Sequence, residues 1–495
     1  MHSFKNYING EWVDAVSGET FDVLNPADGK IIARCAKGGR DDAKMAVQAA
    51  KNAFYNDKNG WRRLGVQTRC DMLYRLADAL EKEKDSFARA ETMDNGKPLR
   101  EAIGDVEDAV SYIRYYAGAS RMPGGASYEV NDGFGPMQCF TVKEPIGVCA
   151  LITPWNYPLL MGVQKIAPAL AAGNTIVFKP SSETPVTSVK FFELIDKIGF
   201  PKGTANLVMG GGSTVGEELS SSPDVDMVSF TGSTPVGQGI YKNAAANVKK
   251  IGLELGGKSP NIIFADADID GAVEWAMVGV FFNQGEVCSA GSRILIEESI
   301  KDEFTSKLAA RANAMTIGNG LDNPDMGPLI SKSHMEKVLD YIETAKKEGC
   351  RLVCGGRRYT ENGCGNGYFI TPTVFDNCPP DCRIVREEVF GPVVTIQTFK
   401  TEEEAVKMAN DTEFGLAGAV FTSDGAKALR VVKEIRAGIM WVNCYNPAFI
   451  EAPWGGYRKS GIGRELGADG LDEYAETKQI NINLSPGELG WYEKR

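Results

Sequence analysis

From Ile146 to Leu255 the chain alternates short apolar runs with helical stretches, and this rhythm narrows its fold more than any other feature. The runs are IGVCALI, NTIVFK, TANLVM and DMVSF, with helices expected near 160–172, 185–198, 214–221 and 235–246. Strands that are apolar at nearly every residue, each followed by a helix, belong in a parallel sheet covered on both faces. Such sheets bind nucleotides beyond the carboxyl ends of their strands. A second series begins at PNIIF (260–264) and continues through SRILIEES, VVTIQTF, AGAVFTS and GIMWVN. Its helices are expected near 269–281, 300–315, 331–348, 401–410 and 424–435. Ahead of both series, helical periodicity covers 41–55, 66–90 and 99–120. A Gly- and Pro-rich break then leads into the strand-like QCFTVKEP. That excursion is expected to pair with the strand-like tail, within one chain or between two. The fold class is thus α/β: two doubly wound α/β domains and a small β arm. The expected boundaries are 1–123 and 144–256 for a dinucleotide-binding domain, 257–455 for a catalytic domain, and 124–143 with 471–495 for the arm.

A chain of 495 residues fits two or three domains. Its net charge of -11 disfavours a broad basic face for nucleic acid or anionic membrane. No apolar run approaches the roughly 20 residues needed to span a bilayer. The N-terminus lacks the apolar core of a signal peptide, so a cytoplasmic protein is expected. Eleven cysteines, an odd number, suggest reduced thiols rather than a disulfide framework. Cys350/Cys354 and Cys378/Cys382, with Cys364 between, have a spacing that zinc sites also use. Cys354 ends the apolar run RLVC and Cys382 follows a Pro-Pro turn, so these are read as packing or surface thiols, and no metal ligand is assigned. There are only two histidines, His2 and His334. A Cys–His or Ser–His pair therefore has almost no candidates, and any general base is expected to be a carboxylate.

Several short stretches carry chemistry. FTGSTPVGQGI (230–240) is a Gly-rich strand-to-helix turn whose backbone N–H groups, with Ser233, suit a phosphate. VMGGGSTVG (208–216) and FKPSSETP (178–185) are similar turns, the latter with Lys179 at a strand end. Each alone is equally a structural turn; three in successive βα units favour a dinucleotide site. LELGGKSP (253–260) places Glu254 in an apolar setting, where desolvation raises a carboxyl toward general-base duty unless a salt bridge holds it down. TPWNYP (153–158) presents Asn156, an amide donor for an oxyanion or an ordinary turn residue. NQGEVCSAGSR (283–293) sets Cys288 among small and polar residues.

Taken together, TPWNYP, KIAPALAAGNTIVFKPS, FTGSTPVG, LELGGKSP, GEVCSAGSR, EEVFGPV and PWGGYRKSGIGRELG, in this order and spacing, resemble the aldehyde dehydrogenase superfamily over essentially the whole chain. The resemblance implies NAD(P)+-dependent oxidation of an aldehyde to its carboxylic acid. Cys288 would be the nucleophile, forming a hemithioacetal and then a thioester. Asn156 and the Cys288 N–H would hold the oxyanion. Glu254 would activate water, and Lys165 with Glu465 resembles the family's proton relay. For the cofactor, the resemblance points to Ile152, Thr153, Trp155, Asn156, Lys179, Ser182, Gly212, Phe230, Gly232, Ser233, Val236, Glu254, Leu255, Glu388 and Phe390. Lys179 and Glu388 would hold the two riboses. NAD-selective members often carry Glu three residues beyond this lysine, where this chain has Ser182. NAD+ is expected, with tolerance of NADP+.

Within the superfamily the chain most resembles betaine aldehyde and aminoaldehyde dehydrogenases. A trimethylammonium aldehyde is best held by aromatic faces. The expected pocket comprises Tyr157, Gln164, Phe282, Val287, Ser289, Phe449 and Trp454, with Glu451 adding attraction. Gln164, Asn446 and Ala448 replace aromatic residues often found in that group, which leaves a broad pocket for neutral aldehydes as the alternative. Other rivals are a CoA-acylating enzyme, which typically lacks the base at Glu254, a thiol hydrolase without a redox cofactor, and a non-catalytic descendant. A homo-oligomer, dimer or tetramer, is expected from the exchanged-strand pattern.

Overall fold

A computed structural model describes the chain apart from residues 1, 59, 123, 131–135, 489 and 493–495. Parts of the expected arm therefore lie outside the described residues. The first apolar series forms the middle of an eight-stranded sheet. Its strands run in the order Gly461–Ile462, Lys250–Glu254, Met227–Thr231, Val148–Ile152, Thr175–Lys179, Ala205–Leu207, Asn6–Ile8 and Glu11–Val13. The five central strands are parallel, and the pairings at both edges are antiparallel. Alternate residues of one strand point to opposite faces. Cys149 and Leu151 accordingly pack under the helices Val66–Lys82, Leu99–Ala119, Pro158–Ala172 and Val186–Ile198. Val148, Ala150 and Ile152 face Arg40–Lys51 and Thr234–Ala245 instead. Strand order reverses between Val148–Ile152 and Met227–Thr231, which opens a crevice at their carboxyl ends.

The second series forms a seven-stranded sheet in the order Arg351–Cys354, Thr373–Asp376, Val393–Phe399, Arg293–Glu297, Pro260–Ile263, Ala417–Phe421 and Ile439–Val442. All pairings are parallel except that of the edge strand Arg351–Cys354. Thr373–Asp376 was not anticipated: four residues behind Pro372 carry too little pattern to be read alone.

The tail strand Ala475–Asn483 pairs antiparallel with Met137–Pro145 of the same chain, and Ser127–Val130 adds a third strand. Most of this small sheet is exposed. Among the described residues no helix is long and apolar enough to cross a membrane. All eleven cysteines are free.

Candidate active site

Cys288 sits where the two sheets meet. The helix Ile269–Phe281 ends in a turn whose Asn283 and Gln284 both have positive φ, 48° and 55°. Residues with a Cβ rarely hold that conformation unless their surroundings enforce it. Here the Asn283 backbone N–H donates to the Glu101 carboxylate at 2.9 Å, and its side-chain amide donates to the Asn156 carbonyl at 3.0 Å. Tyr445 fixes the other side by donating its hydroxyl to the Ser289 carbonyl at 2.8 Å. The Cys288 thiol is pushed up to about 12 by burial, with Glu388 and Glu254 adding to the effect. It rests as a thiol, so attack on a carbonyl requires a base to take its proton.

Glu254 ends its strand in a buried position, and neither carboxylate oxygen has a hydrogen-bond partner among the described residues. Burial, with Glu465 nearby, raises it well above the usual carboxylate range, while Lys165 and Arg464 pull the other way. An unsatisfied buried carboxyl is costly and marks a group with work to do. The next residues explain their own spacing. A Cβ on Gly256 would meet Glu388 Oε2 at 2.4 Å, and one on Gly257 would meet the Cys288 carbonyl oxygen at 2.5 Å. The Gly257 N–H donates to Glu388 Oε1 at 3.0 Å. The two glycines thus let Glu388 and the Cys288 backbone close on the strand that carries Glu254.

Asn156 is buried between its strand and the helix that Pro158 begins. Its side-chain amide donates to the Glu286 carbonyl at 2.8 Å, which aims it at the Cys288 turn. Lys165, fully buried, forms an ion pair with Glu465 and donates to the Ser229 hydroxyl at 3.0 Å. Gln164 donates to the other Glu465 oxygen at 2.6 Å.

A cavity of about 550 Å³ opens in front of Cys288. Tyr157, Gln164, Phe282, Val287, Ser289 and Trp454 line it, as expected, and so does Asn446. Phe449 does not: it is 63% exposed, and Glu451 is exposed too, while Ile450 between them packs against the core of the first sheet. Tyr157 offers only one face to a ligand, since Lys97 Nζ lies 4.0 Å from its ring centroid. Gln164 lines the cavity with its amide already committed to Glu465.

The opposite wall comes from a helix that carried no expected site residue. Glu101, Asp105, Asp108 and Tyr112 all line the cavity from Leu99–Ala119. Their spacing of four, three and four places them on one helical face, and that acidic stripe in LREAIGDVEDAVSY was the signal available. Asp105 is ion-paired to the buried Lys97 at 2.5 Å. Burial raises Glu101 to about 8. Asp108 stands at the rim with its carboxyl pushed up to about 6 by partial burial and by Asp105 and Glu107. It is the carboxylate left over for a ligand.

On the far side of Cys288 lies the crevice of the first sheet. Ile152, Thr153, Lys179, Phe230 and Leu255 are buried at or just beyond strand ends, while Gly212, Ser233 and Val236 are exposed on the neighbouring turns. Lys179 donates to the Pro180 carbonyl at 3.1 Å and is lowered to about 8 by burial. Ser182 donates to the Gly210 carbonyl at 3.0 Å. A Cβ on Gly232 would meet the Phe230 ring at 2.4 Å, so a larger residue there would have to displace that buried ring. The Thr153 and Thr231 hydroxyls lack partners among the described residues. Trp155 packs edge-on to Phe390 with ring centroids 5.2 Å apart. His334, read from sequence only as part of a helix, also packs on Trp155. Its Nε2 lies 2.6 Å from the Phe390 carbonyl, and burial lowers it to about 4, so the ring is neutral.

Comparison with known proteins agrees with this arrangement. The aldehyde dehydrogenase family pattern matches residues 12–480. Betaine aldehyde dehydrogenase of Bacillus subtilis (strain 168) is 47% identical over 98% of this chain and 99% of its own length. The mitochondrial aldehyde dehydrogenase of Homo sapiens is 44% identical over 97% of this chain and 92% of its own. The crystal structure of betaine aldehyde dehydrogenase from Staphylococcus aureus in complex with NAD+ superposes with a TM-score of 0.96, at 46% identity, covering 99% of this chain and 96% of that one. A cysteine, a buried carboxyl and an amide donor thus converge between two α/β sheets on a scaffold shared along its whole length: the chain belongs to the aldehyde dehydrogenase family.

Proposed function

We propose that the protein oxidises an aldehyde bearing a cationic head group, of the betaine aldehyde or aminoaldehyde type, to its acid with NAD+. The observation that carries this reading is the cavity wall: Asp108 at its rim and the aromatic rings of Tyr112, Tyr157, Phe282 and Trp454. The Asp108 carboxylate and the ring faces attract an ammonium group more strongly than they hold a neutral alkyl chain. The betaine aldehyde dehydrogenases among its relatives support the same substrate class.

In this reading the Asn156 amide and the Cys288 N–H polarise the carbonyl while the Glu254 carboxylate takes the thiol proton. The sulfur–carbon bond forms, and the thioester that follows is hydrolysed by water activated at Glu254. Burial raises the Glu254 carboxyl, which strengthens it as a base, and the Lys165–Glu465 pair acts on it electrostatically. NAD+ supplies the hydride acceptor when bound. The residues present fit it: Thr153 and Thr231 hydroxyls without partners among the described residues, Lys179 at a strand end, and Gly232 close against the Phe230 ring. Lys179 and Glu388 would take the ribose hydroxyls, with Ile152, Trp155, Phe230, Leu255 and Phe390 as apolar walls and Gly212, Ser233 and Val236 at the phosphate end. Ser182 presents no carboxylate to a 2′-phosphate, so NADP+ is tolerated. The two sheets act as cofactor and catalytic domains. The exposed arm, with Tyr128 and Ile482 at 51% and 42% exposure, is a surface for a second copy. An interior of free thiols suits a reducing compartment such as the cytoplasm.

A kcat/KM comparison of betaine aldehyde, an aminoaldehyde, and neutral aliphatic and aromatic aldehydes tests the reading. The cationic substrates should lead by at least about tenfold, roughly 1.4 kcal/mol; parity would favour a broad-specificity enzyme for neutral aldehydes.

A further inference from the structure

Three cysteines from different turns meet at the outer edge of the second sheet. Cys350 stands between the helix Lys332–Lys347 and the edge strand Arg351–Cys354, Cys378 follows Thr373–Asp376, and Cys382 precedes the short helix Arg383–Arg386. Their sulfurs all lie within 4.8 Å of one another, and those of Cys350 and Cys382 are 3.4 Å apart. All three side chains are buried. Cys354 and Cys364 belong to other core clusters, so the fold keeps the Cys378/Cys382 pair and splits the Cys350/Cys354 pair.

Sulfur sits about 2.3 Å from zinc, which places neighbouring thiolates about 3.8 to 4.0 Å apart in tetrahedral or trigonal geometry. The 3.4 Å separation is shorter than that value and the others are at most 4.8 Å, so an ion enters with changes of about 1 Å or less in each. Charge also suits a divalent ion. Three thiolates around it leave one net negative charge, and the buried Lys258 lies within electrostatic reach of both Cys378 and Cys382. Among the described residues no fourth His, Cys, Asp or Glu joins the cluster. Cys378 does line a cavity of about 360 Å³, which offers an approach and room for water.

We propose that Cys350, Cys378 and Cys382 form a three-thiolate site for a divalent thiophilic cation of the zinc–cadmium class, with water as fourth ligand. The site shares no residue with Cys288 and its cavity. Binding exchanges three thiol protons for one cation, and it would tie the helix Lys332–Lys347 to the loop that leads on to Glu388.

Cadmium is the probe, since its thiolate bonds absorb in the ultraviolet. The Cys288→Ala protein, reduced and metal-free, removes the competing reactive thiol. It should bind one Cd²⁺ per chain, release three protons and develop the charge-transfer band. Adding Cys378→Ser should weaken uptake by about a hundredfold or more, and adding Cys354→Ser should change nothing. Should Cys378→Ser fail to fold, Cys382→Ala in the same background carries the test. Absence of the band at millimolar cadmium, or uptake undiminished in the variants, would overturn the proposal.

Discussion

Replacing Gly257 by alanine tests how closely the nucleophile's backbone is seated. The new Cβ would stand 2.5 Å from the Cys288 carbonyl oxygen, where ordinary contact begins at 3.4 Å. The shortfall of about 0.9 Å falls on backbone, which cannot swing aside, and the Leu416 Cβ at 3.3 Å limits movement of the alanine itself. Shifting a reacting group by about 1 Å costs on the order of a hundredfold in rate, about 2.7 kcal/mol of barrier. Overpacking costs a further 1–3 kcal/mol or so of stability. Gly256→Ala is the control next door. Its Cβ meets the end of the flexible Glu388 side chain at 2.4 Å. It should raise the KM for NAD+ and leave Cys288 where it is. The assay is the stopped-flow NADH burst at saturating NAD+, with iodoacetamide labelling of Cys288 and a thermal melt as companions. Gly257→Ala should slow the burst about a hundredfold while remaining folded; Gly256→Ala should keep a near-normal burst once NAD+ saturates. A Gly257→Ala burst within a few-fold of wild type, or the same defect in both variants, would refute the seating argument.

Asp108→Asn should raise the KM for a cationic aldehyde about fivefold, the worth of an exposed ion pair near 1 kcal/mol, and leave neutral aldehydes unaffected. In the wild-type enzyme the same KM should rise as pH falls through about 6, because protonation removes the charge at Asp108; a KM flat across that range would exclude its role. Cys288→Ala should abolish dehydrogenase activity and preserve NAD+ binding measured by calorimetry. Glu254→Gln should slow steady-state turnover more than single-turnover NADH formation, and an equal loss in both would speak against a deacylation base. With NADP+ in place of NAD+, kcat/KM should fall by less than about a thousandfold, roughly 4 kcal/mol.

Local features of the sequence carried most strands of both sheets, since apolar runs and helical periods report burial within a few residues of themselves. Cys288, Glu254, Asn156, Lys165 and Glu465 were named only through the resemblance of several motifs together, since each stretch alone was open to a structural reading. The placement of Phe449 was misread because neighbouring residues on a loop share no rule for which side faces in. The acidic helix face was legible as an i, i+4, i+7 stripe, but its destination was not, since a charged face ordinarily meets water. Only packing Leu99–Ala119 against the first sheet turned Asp105 and Asp108 toward the cavity before Cys288.

The sequence by itself determined the alternating α/β elements and, through the resemblance of its motifs, named Cys288, Glu254 and Asn156 as candidates. Tertiary structure alone decided which face of Leu99–Ala119 lines the cavity, how closely the Cys288 backbone approaches Gly257, and which three of eleven thiols converge. The physical reason is that patterning acts along the chain over a few residues, whereas a cavity or a thiol cluster is built across it. Its members are brought together by the packing of whole elements whose contacts no single stretch encodes.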